Sequence, residues 1–291
     1  MRVVVAGAGG LIGSVVARDL NTNGHEVVRL VRHEPGAGEV RWDPDGGTID
    51  RDGLEDFDAV VDVATMPWPT RWTSAAKKRI YDNRVGSYRL LAEALAGRAG
   101  KPRVLVCASG QGIYPSSGDQ VLTEESAIGS DFLAGLQRDG EAATATASAA
   151  GIRVVHLRIP TVLGGPSLAA LTSNLRIMGS GRQWWSWVAL DEFPAIVEHI
   201  LGTDTLVGAV NAASPDPVRA AEFSATLGRV LDRRPGRGVP AFLLRLVMGE
   251  MAEALLLASR RIEPRRLLQT GYEFRYPELE AALRHQLGAA A

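Results

Sequence analysis

Short runs of β-branched and aliphatic residues alternate with longer segments of helical periodicity through the first half of the chain. VVVAG (3–7) reads as a first strand, and LIGSVVARDLNTN (11–23) as a helix that Gly24 ends in a left-handed cap. EVVRLVR (26–32) is a second strand, and the Gly-, Pro- and Asp-rich stretch 34–53 is loop or short hairpin. DAVVDVA (58–64) and RVLVCAS (103–109) are continuous apolar runs of the kind buried on both faces of a parallel sheet. Between them WTSAAKKRIYDNRVGSYRLLAEALAG (72–97) has apolar positions at helical spacing. FLAGLQRDGEAATA (132–145) is the next helix, and IRVVHLRIP (152–160) the strand after it. Six or so strands with crossover helices predict an α/β fold, a doubly wound parallel sheet of Rossmann type.

From about residue 161 the rhythm changes to loops, isolated short strands and two or three helices, as in a smaller α+β lobe on the substrate side. The expected division is therefore a nucleotide-binding domain over 1–160 and a substrate lobe over 161–291, packed directly together with some exchange of elements. The apolar stretch AFLLRLVMGEMAEALLLASRRI (241–262) is broken by Arg245, Glu250 and Glu253, so it reads as helix packed on protein rather than a membrane span. A homodimer or membrane-surface contact is the alternative for it.

Composition narrows the function classes. The 291 residues are 46% hydrophobic and 22% charged with a net charge of -1, a balance that gives no reason to expect nucleic acid or an anionic membrane as partner. The single cysteine, Cys107, cannot close an intramolecular disulfide and lies in an apolar strand, which fits a reducing cytoplasm. Five histidines, at 25, 33, 156, 199 and 285, show no metal-ligand spacing. No G-x-S-x-G elbow is present, which argues against a hydrolase.

GAGGLIG places glycines at 7, 10 and 13 between the first strand and the first helix. Such a turn is tight, lets a pyrophosphate approach the backbone and presents free N–H groups at the helix start. At the end of the second strand, where an acid would hold the ribose 2′-hydroxyl of NAD, the chain reads RLVRH (29–33). Arg32 would instead meet the 2′-phosphate of NADP(H).

Here the chain resembles the extended short-chain dehydrogenase/reductase superfamily, through the glycine turn at 7–13, DVAT (62–65), NRVGS (83–87) and ASGQGIYP (108–115). More narrowly it resembles an atypical "epimerase family" subgroup, NAD-dependent epimerase/dehydratase-like, with an uncharacterised C-terminal domain. RWT (71–73), GIYPSSGD and LTEES (112–126), GSGRQWWSW (179–187) and the segment 239–284 carry that likeness. The resemblance implies NADP(H) bound by Gly7, Gly10, Leu11, Ile12 and Gly13, with Arg32 on the 2′-phosphate and Val63 and Ala64 under the adenosine side. It implies that Arg84 reaches the cofactor from the long helix, that Ser109 stands near the nicotinamide, and that RIPTVLG (158–164) passes its carboxamide. There Pro160 replaces the small residue of relatives.

One departure is large. Most short-chain dehydrogenases carry a Tyr that supplies a proton and a Lys four residues on that lowers its pKa. Alignment on LTEES and EAA puts Leu136 and Gly140 at those positions. After Tyr114 the next tyrosines are Tyr272 and Tyr276, and no lysine follows residue 101. Ser109 and Tyr114 are then the candidate catalytic residues, Tyr114 also because it lies in a loop at the carboxyl end of a strand. Arg182 with Trp184, Trp185 and Trp187 could wall a small organic substrate, or the tryptophans could simply pack the lobe interface.

The expected function is an NADP(H)-dependent reductase or epimerase-like oxidoreductase. A non-catalytic NADP(H)-sensing or interaction module is the alternative, and an isomerase that regenerates its cofactor in each cycle is a third reading.

Overall fold

The computed structural model describes residues 1–66, 71–98 and 102–289; Lys101 lies outside them. The strands are β1 (Arg2–Ala6), β2 (Glu26–Val31), β3 (Glu39–Asp43), β4 (Thr48–Ile49), β5 (Ala59–Asp62), β6 (Val104–Gly110), β7 (Val121–Leu122) and β8 (Arg153–Ile159). Helix α1 is Leu11–Thr22, α2 is Ser74–Ala96 and α3 is Phe132–Ala142. Later elements are named by their residues.

Among the described residues one sheet has eight strands, in the order Gly208–Asn211, β8, β6, β5, β1, β2, β3, β4. All neighbours are parallel except β3 and β4, a hairpin within the stretch 34–53. Strand order runs outward from β1 in both directions, to β2 on one side and β5 on the other. The reversal opens a crevice at the carboxyl ends of β1 and β5, where open α/β sheets take ligands. The register Ala6↔Asp62 sets the turn after β1 beside Val63 and Ala64.

Side-chain alternation along each strand builds one core on each face of the sheet. Val3 and Val5 pack with α1 and the helix Phe193–Gly202, whereas Val4 and Ala6 pack on the face of Tyr88, Leu91 and Leu95 of α2. The sheet takes its last strand, Gly208–Asn211, from beyond residue 160, so the sheet and the following lobe share chain. That lobe has its own core, with Trp185, Trp187, Phe223, Leu227 and Leu283 buried together.

The segment 241–262 forms a helix, Ala241–Met248, followed after Gly249 by a short α turn and a π-helical turn, Glu253–Leu257. Leu244 is buried, but Phe242 and Leu246 are 66% and 71% exposed. No helix among the described residues is long and apolar enough to cross a membrane.

Candidate active site

The turn after β1 is built on close approaches that only glycine permits. Gly7 has φ +79°, and a Cβ there would lie 2.7 Å from backbone atoms of Ala64. At Gly13 a Cβ would lie 2.0 Å from the Gly7 carbonyl oxygen, so α1 can sit against the turn only without a side chain at that position. Gly10 N donates to Gly7 O at 2.8 Å, and the helix bonding begins with Ser14 N to Gly10 O at 3.0 Å. The N–H groups of Leu11, Ile12 and Gly13 precede that bond and point out of the helix start, which has no side-chain cap.

A groove of about 390 Å³ opens on this turn, lined by Gly7, Gly10, Leu11, Ile12, Leu30, Arg32, Trp42, Val63, Ala64, Thr65 and Met66. Six of the residues expected to hold the cofactor therefore come together with Arg32 in one cavity; Gly13 underlies the turn itself. Arg32 is half exposed, and its Nη1 is 3.8 Å from Asp45, so a loose ion pair leaves the guanidinium able to meet an anion. Leu11 is covered by the backbone at Gly165, where a Cβ would meet Leu11 Cδ1 at 2.5 Å. The segment after Pro160, which is itself buried, thus closes over the turn.

At the carboxyl ends of β5 and β6 the side chains come from several elements. Ser109 Oγ donates to Glu141 Oε1 at 2.7 Å, and Glu141 is clamped in two-point fashion by Arg158, both contacts at 2.9 Å. Arg84 donates to Ala108 O and to Thr65 Oγ1, each at 3.2 Å, and also to the Tyr88 hydroxyl one turn on. Asp62 is buried beside them. Its Oδ1 accepts from Ala64 N at 2.9 Å while Oδ2 has no hydrogen-bond partner among the described residues. Burial pushes the Asp62 carboxyl up to about 6, against the pull of the Ala64 N–H and the charges of Arg84 and Arg32.

The aligned positions of the missing dyad are filled differently. Leu136 is buried in an apolar cluster with Ile80, Leu133 and Ala254, packed against Met66 and Trp72. Gly140 faces the stem of Arg84. Neighbouring Gln137 is buried, and a Cβ at Gly110 would lie 2.9 Å from its Nε2. Its amide therefore occupies the space beside the end of β6.

Tyr114 lies elsewhere than a proton donor needs. It is fully buried in a cluster with Ile113, Leu122, Ala213 and Ile262. Its hydroxyl donates to Asn211 Oδ1 at 2.7 Å and accepts from Arg158 Nη1 at 2.9 Å. Burial pushes the phenol up to about 12, with Arg158 opposing. This geometry makes it a tie between β8, the Gly208–Asn211 strand and the loop after β6. The expectation of a substrate contact is corrected accordingly: the residue has no exposed surface through which to make one.

The tryptophans divide as their alternation dictates. Trp185 and Trp187 face the lobe core, with indole N–H groups donating to Leu256 O and Asp216 O. Trp184, on the opposite face, has the guanidinium groups of Arg219 and Arg261 over its ring system, 4.1 and 4.5 Å from the centroid, and donates to Asp119. Arg182 is exposed next to this stack, its carbonyl accepting from Arg219. None of the four lines the 390 Å³ groove; the packing alternative describes Trp185 and Trp187. A smaller cavity of about 100 Å³ lies instead between α3 and the C-terminal segment, lined by Trp72, Leu133, Ala254 and Ala258 with Ser116, Asp131, Glu250, Glu253 and Arg260. Among the described residues no cluster of His, Cys, Asp and Glu is arranged to hold a metal ion.

Sequence reasoning missed Asp62, Gln137, Glu141 and Arg158. A charged residue within the apolar runs DAVVDVA and VVHLRIP was the available signal for two of them, since a buried charge requires a partner. Nothing local marks Glu141 or Gln137.

The model of the NAD dependent epimerase/dehydratase family matches residues 3–211, and that of a domain of unknown function, DUF1731, matches 239–286. An epimerase family protein of Mycobacterium leprae is 34% identical over 97% of this chain and 94% of its own length. The crystal structure of human epimerase family protein SDR39U1 with NADPH superposes with a TM-score of 0.87 at 30% identity, covering 99% of both chains. A nucleoside-diphosphate sugar epimerase from Corynebacterium glutamicum gives 0.81 at 34% identity, over 99% of this chain and 58% of that one. With its Rossmann-type sheet, glycine turn and C-terminal segment, the chain belongs to the NAD-dependent epimerase/dehydratase family, in the company of the epimerase family proteins.

Proposed function

We propose that the protein binds NADP(H) and acts as a reductase or epimerase-like oxidoreductase on a small organic substrate. The observation that carries this is the groove itself: a glycine turn with unpaired N–H groups at one point and Arg32, with no acid at the end of β2, at another. The donor set fits a dinucleotide bearing a 2′-phosphate. NADPH in the human relative's structure supports the same cofactor here.

Gly7, Gly10, Leu11, Ile12 and Gly13 would seat the pyrophosphate, Val63 and Ala64 the adenosine side, and Arg32 the 2′-phosphate. When bound, the nicotinamide supplies hydride transfer. The chain's part is to hold the reactants in register and to manage one proton. Ser109 is suited to carrying that proton. Its hydroxyl already donates to Glu141, so a substrate hydroxyl that gave its proton to Ser109 Oγ would pass one on to that carboxylate.

The region beyond residue 160, with the 239–286 segment, would supply the substrate side. The 100 Å³ cavity lined by Leu133 and Ala254 fits a substrate portion of a few heavy atoms, mostly apolar, in place of a large sugar nucleotide.

Titration with NADPH and NADH, followed by tryptophan quenching, tests the reading, because Trp42 lines the groove. Preference for NADPH that is lost in Arg32→Ala supports it, and binding of neither nucleotide removes it. The apolar setting of Leu136 favours one second reading, a cofactor-sensing module without turnover. Substrate-dependent oxidation of NADPH would dispose of that one.

A further inference from the structure

We propose that Arg260 anchors the substrate by a carboxylate, in the cavity between α3 and the C-terminal segment, so that the small organic substrate is an acid with a short apolar body. The inference rests on the reading of a small substrate held beside the 239–286 segment, and names its chemical class.

Two arginines are buried among the described residues, Arg158 at 6% and Arg260 at 4% exposure, and they differ in what balances them. Arg158 meets Glu141 at two points, both 2.9 Å. Arg260 has no carboxylate within hydrogen-bond distance among the described residues: Asp131, itself half exposed, lies 3.9 Å from Nη2. Its other nitrogens go to main chain, Nε to Tyr114 O at 2.9 Å and Nη1 to Ala254 O at 2.7 Å. Carbonyls orient a guanidinium without neutralising it. Burial pushes the Arg260 pKa below the ordinary arginine value with only Asp131 opposing. Burial acts on Arg158 as well, but there Glu141 and Tyr114 outweigh it. A buried cation without a close counter-ion is costly, and an anion arriving from solution offsets that cost.

The cavity supplies the room. Its volume of about 100 Å³ is that of about three water molecules, enough for a carboxylate and the carbon that carries it. Leu133, Ala254 and Ala258 offer apolar wall to the carbon, and Ser116 a second donor to the oxygens. Ser116 Oγ accepts from Ser259 N at 3.0 Å, and its own hydrogen has no acceptor among the described residues. The acids on the wall have partners of their own. Glu250 is held by Lys77, Glu253 by Arg245 at 2.8 Å, and Asp131 caps α3 by accepting from Ala134 N at 2.8 Å.

The cavity is also placed to serve the reaction. Leu133 and Gln137 share the buried side of α3, one turn or about 6 Å apart along the axis. Gln137 lies beside Ser109, with Oε1 3.5 Å from its Oγ. An acid held by its carboxylate beside Leu133 therefore needs to run about one helical turn to bring a carbon to the proposed proton carrier.

The test titrates the full chain with butanoate and its neutral isostere butanamide, observed by ligand NMR, without NADPH and with it. Butanoate should bind, and butanamide at least about tenfold more weakly, because only the carboxylate pairs with a guanidinium. Arg260→Gln should abolish that preference. Asp131→Asn keeps the cap of α3 and removes the negative charge nearest Nη2, so it should strengthen butanoate and leave butanamide unchanged. An Arg260 that only ties the C-terminal segment to Tyr114 would show neither effect. Should Arg260→Gln fail to fold, Ala258→Leu narrows the cavity with Arg260 in place and should weaken butanoate.

Equal affinity for the two probes, a preference that survives Arg260→Gln, no gain in Asp131→Asn, or unchanged butanoate binding in Ala258→Leu would overturn the proposal. A chain that binds NADPH and ignores butanoate removes only this inference. Butanoate selectivity in a chain that binds no NADPH leaves the anchor standing and removes the cofactor reading.

Discussion

The glycine turn and the carboxyl end of β6 are built on opposite principles. At the turn the work is done by backbone: glycines at 7, 10 and 13 create the approach, and one side chain, Arg32, adds charge. At the carboxyl end of β6 Arg84, Ser109, Glu141 and Arg158 converge from α2, the end of β6, the end of α3 and β8. Gly7 and Gly13 tolerate almost no change, because a Cβ at either meets main chain. A side-chain site can be rebuilt with other residues from other elements, and here Leu136 and Gly140 stand where the resemblance would put the usual Tyr and Lys.

The sharpest way to break that contrast is at the turn. Gly13→Val would place a branched side chain where even a Cβ lies 2.0 Å from Gly7 O. NADPH affinity should fall more than about a hundredfold and the melting temperature should drop, as overpacking typically costs about 1–3 kcal/mol or more. Gly9→Ala is the control, since nothing lies within 4 Å of its Cβ. Near-normal NADPH binding by Gly13→Val in the titration would show that the turn does not seat the cofactor.

Next in size is Asp62. Its carboxyl titrates near 6 in the folded chain against 3.8 as a reference. The folded state therefore binds more protons than the unfolded one between these values, and stability falls as pH rises from about 4 to 6 and stays lower above. At about 1.4 kcal/mol per pKa unit the penalty is about 3 kcal/mol. Asp62→Asn should be more stable than the parent by up to that amount at pH 7.5, the gap closing toward pH 4 in urea melts. A gap independent of pH would mean that the carboxyl titrates alike in the folded and the unfolded chain.

A step smaller is Arg32→Ala, which should lower NADPH affinity by about 10- to 100-fold through loss of charged hydrogen bonds while leaving NADH unaffected. Equal loss for both nucleotides would place Arg32 on the shared part of the cofactor.

How far the sequence could be read follows the same divide. Strands such as VVVAG and RVLVCAS are legible because burial on both faces of a parallel sheet leaves a continuous apolar run, and the turn because its glycines are neighbours in sequence. Glu192 and Glu124 show the limit. Each reads locally as a helix-start or surface-turn acid, yet each is buried, Glu192 accepting from Tyr272 and Arg275 and Glu124 from Asn211 and Arg266. Their partners lie 80 or more positions away, beyond the reach of any periodicity. Glu141 is hidden in the same way: a helix shows spacing along itself, not which strand end its polar side chains meet.

Tyr114 offers the smallest effect and the clearest separation of structure from chemistry. Replacing it with Phe removes a hydroxyl that donates to Asn211 and accepts from Arg158. Asn211 Oδ1 is left buried without that donor, while Arg158 keeps Glu141 and the Glu124 carbonyl. The cost should be about 1–2 kcal/mol of stability, read as a lower urea midpoint at unchanged slope. NADPH affinity and any turnover should stay as they are, because the phenol has no route to the groove. The opposite pattern, with unchanged stability and lost turnover, would return Tyr114 to the reaction. It would mean that the reaction recruits its proton donor from a buried position that opens when substrate binds.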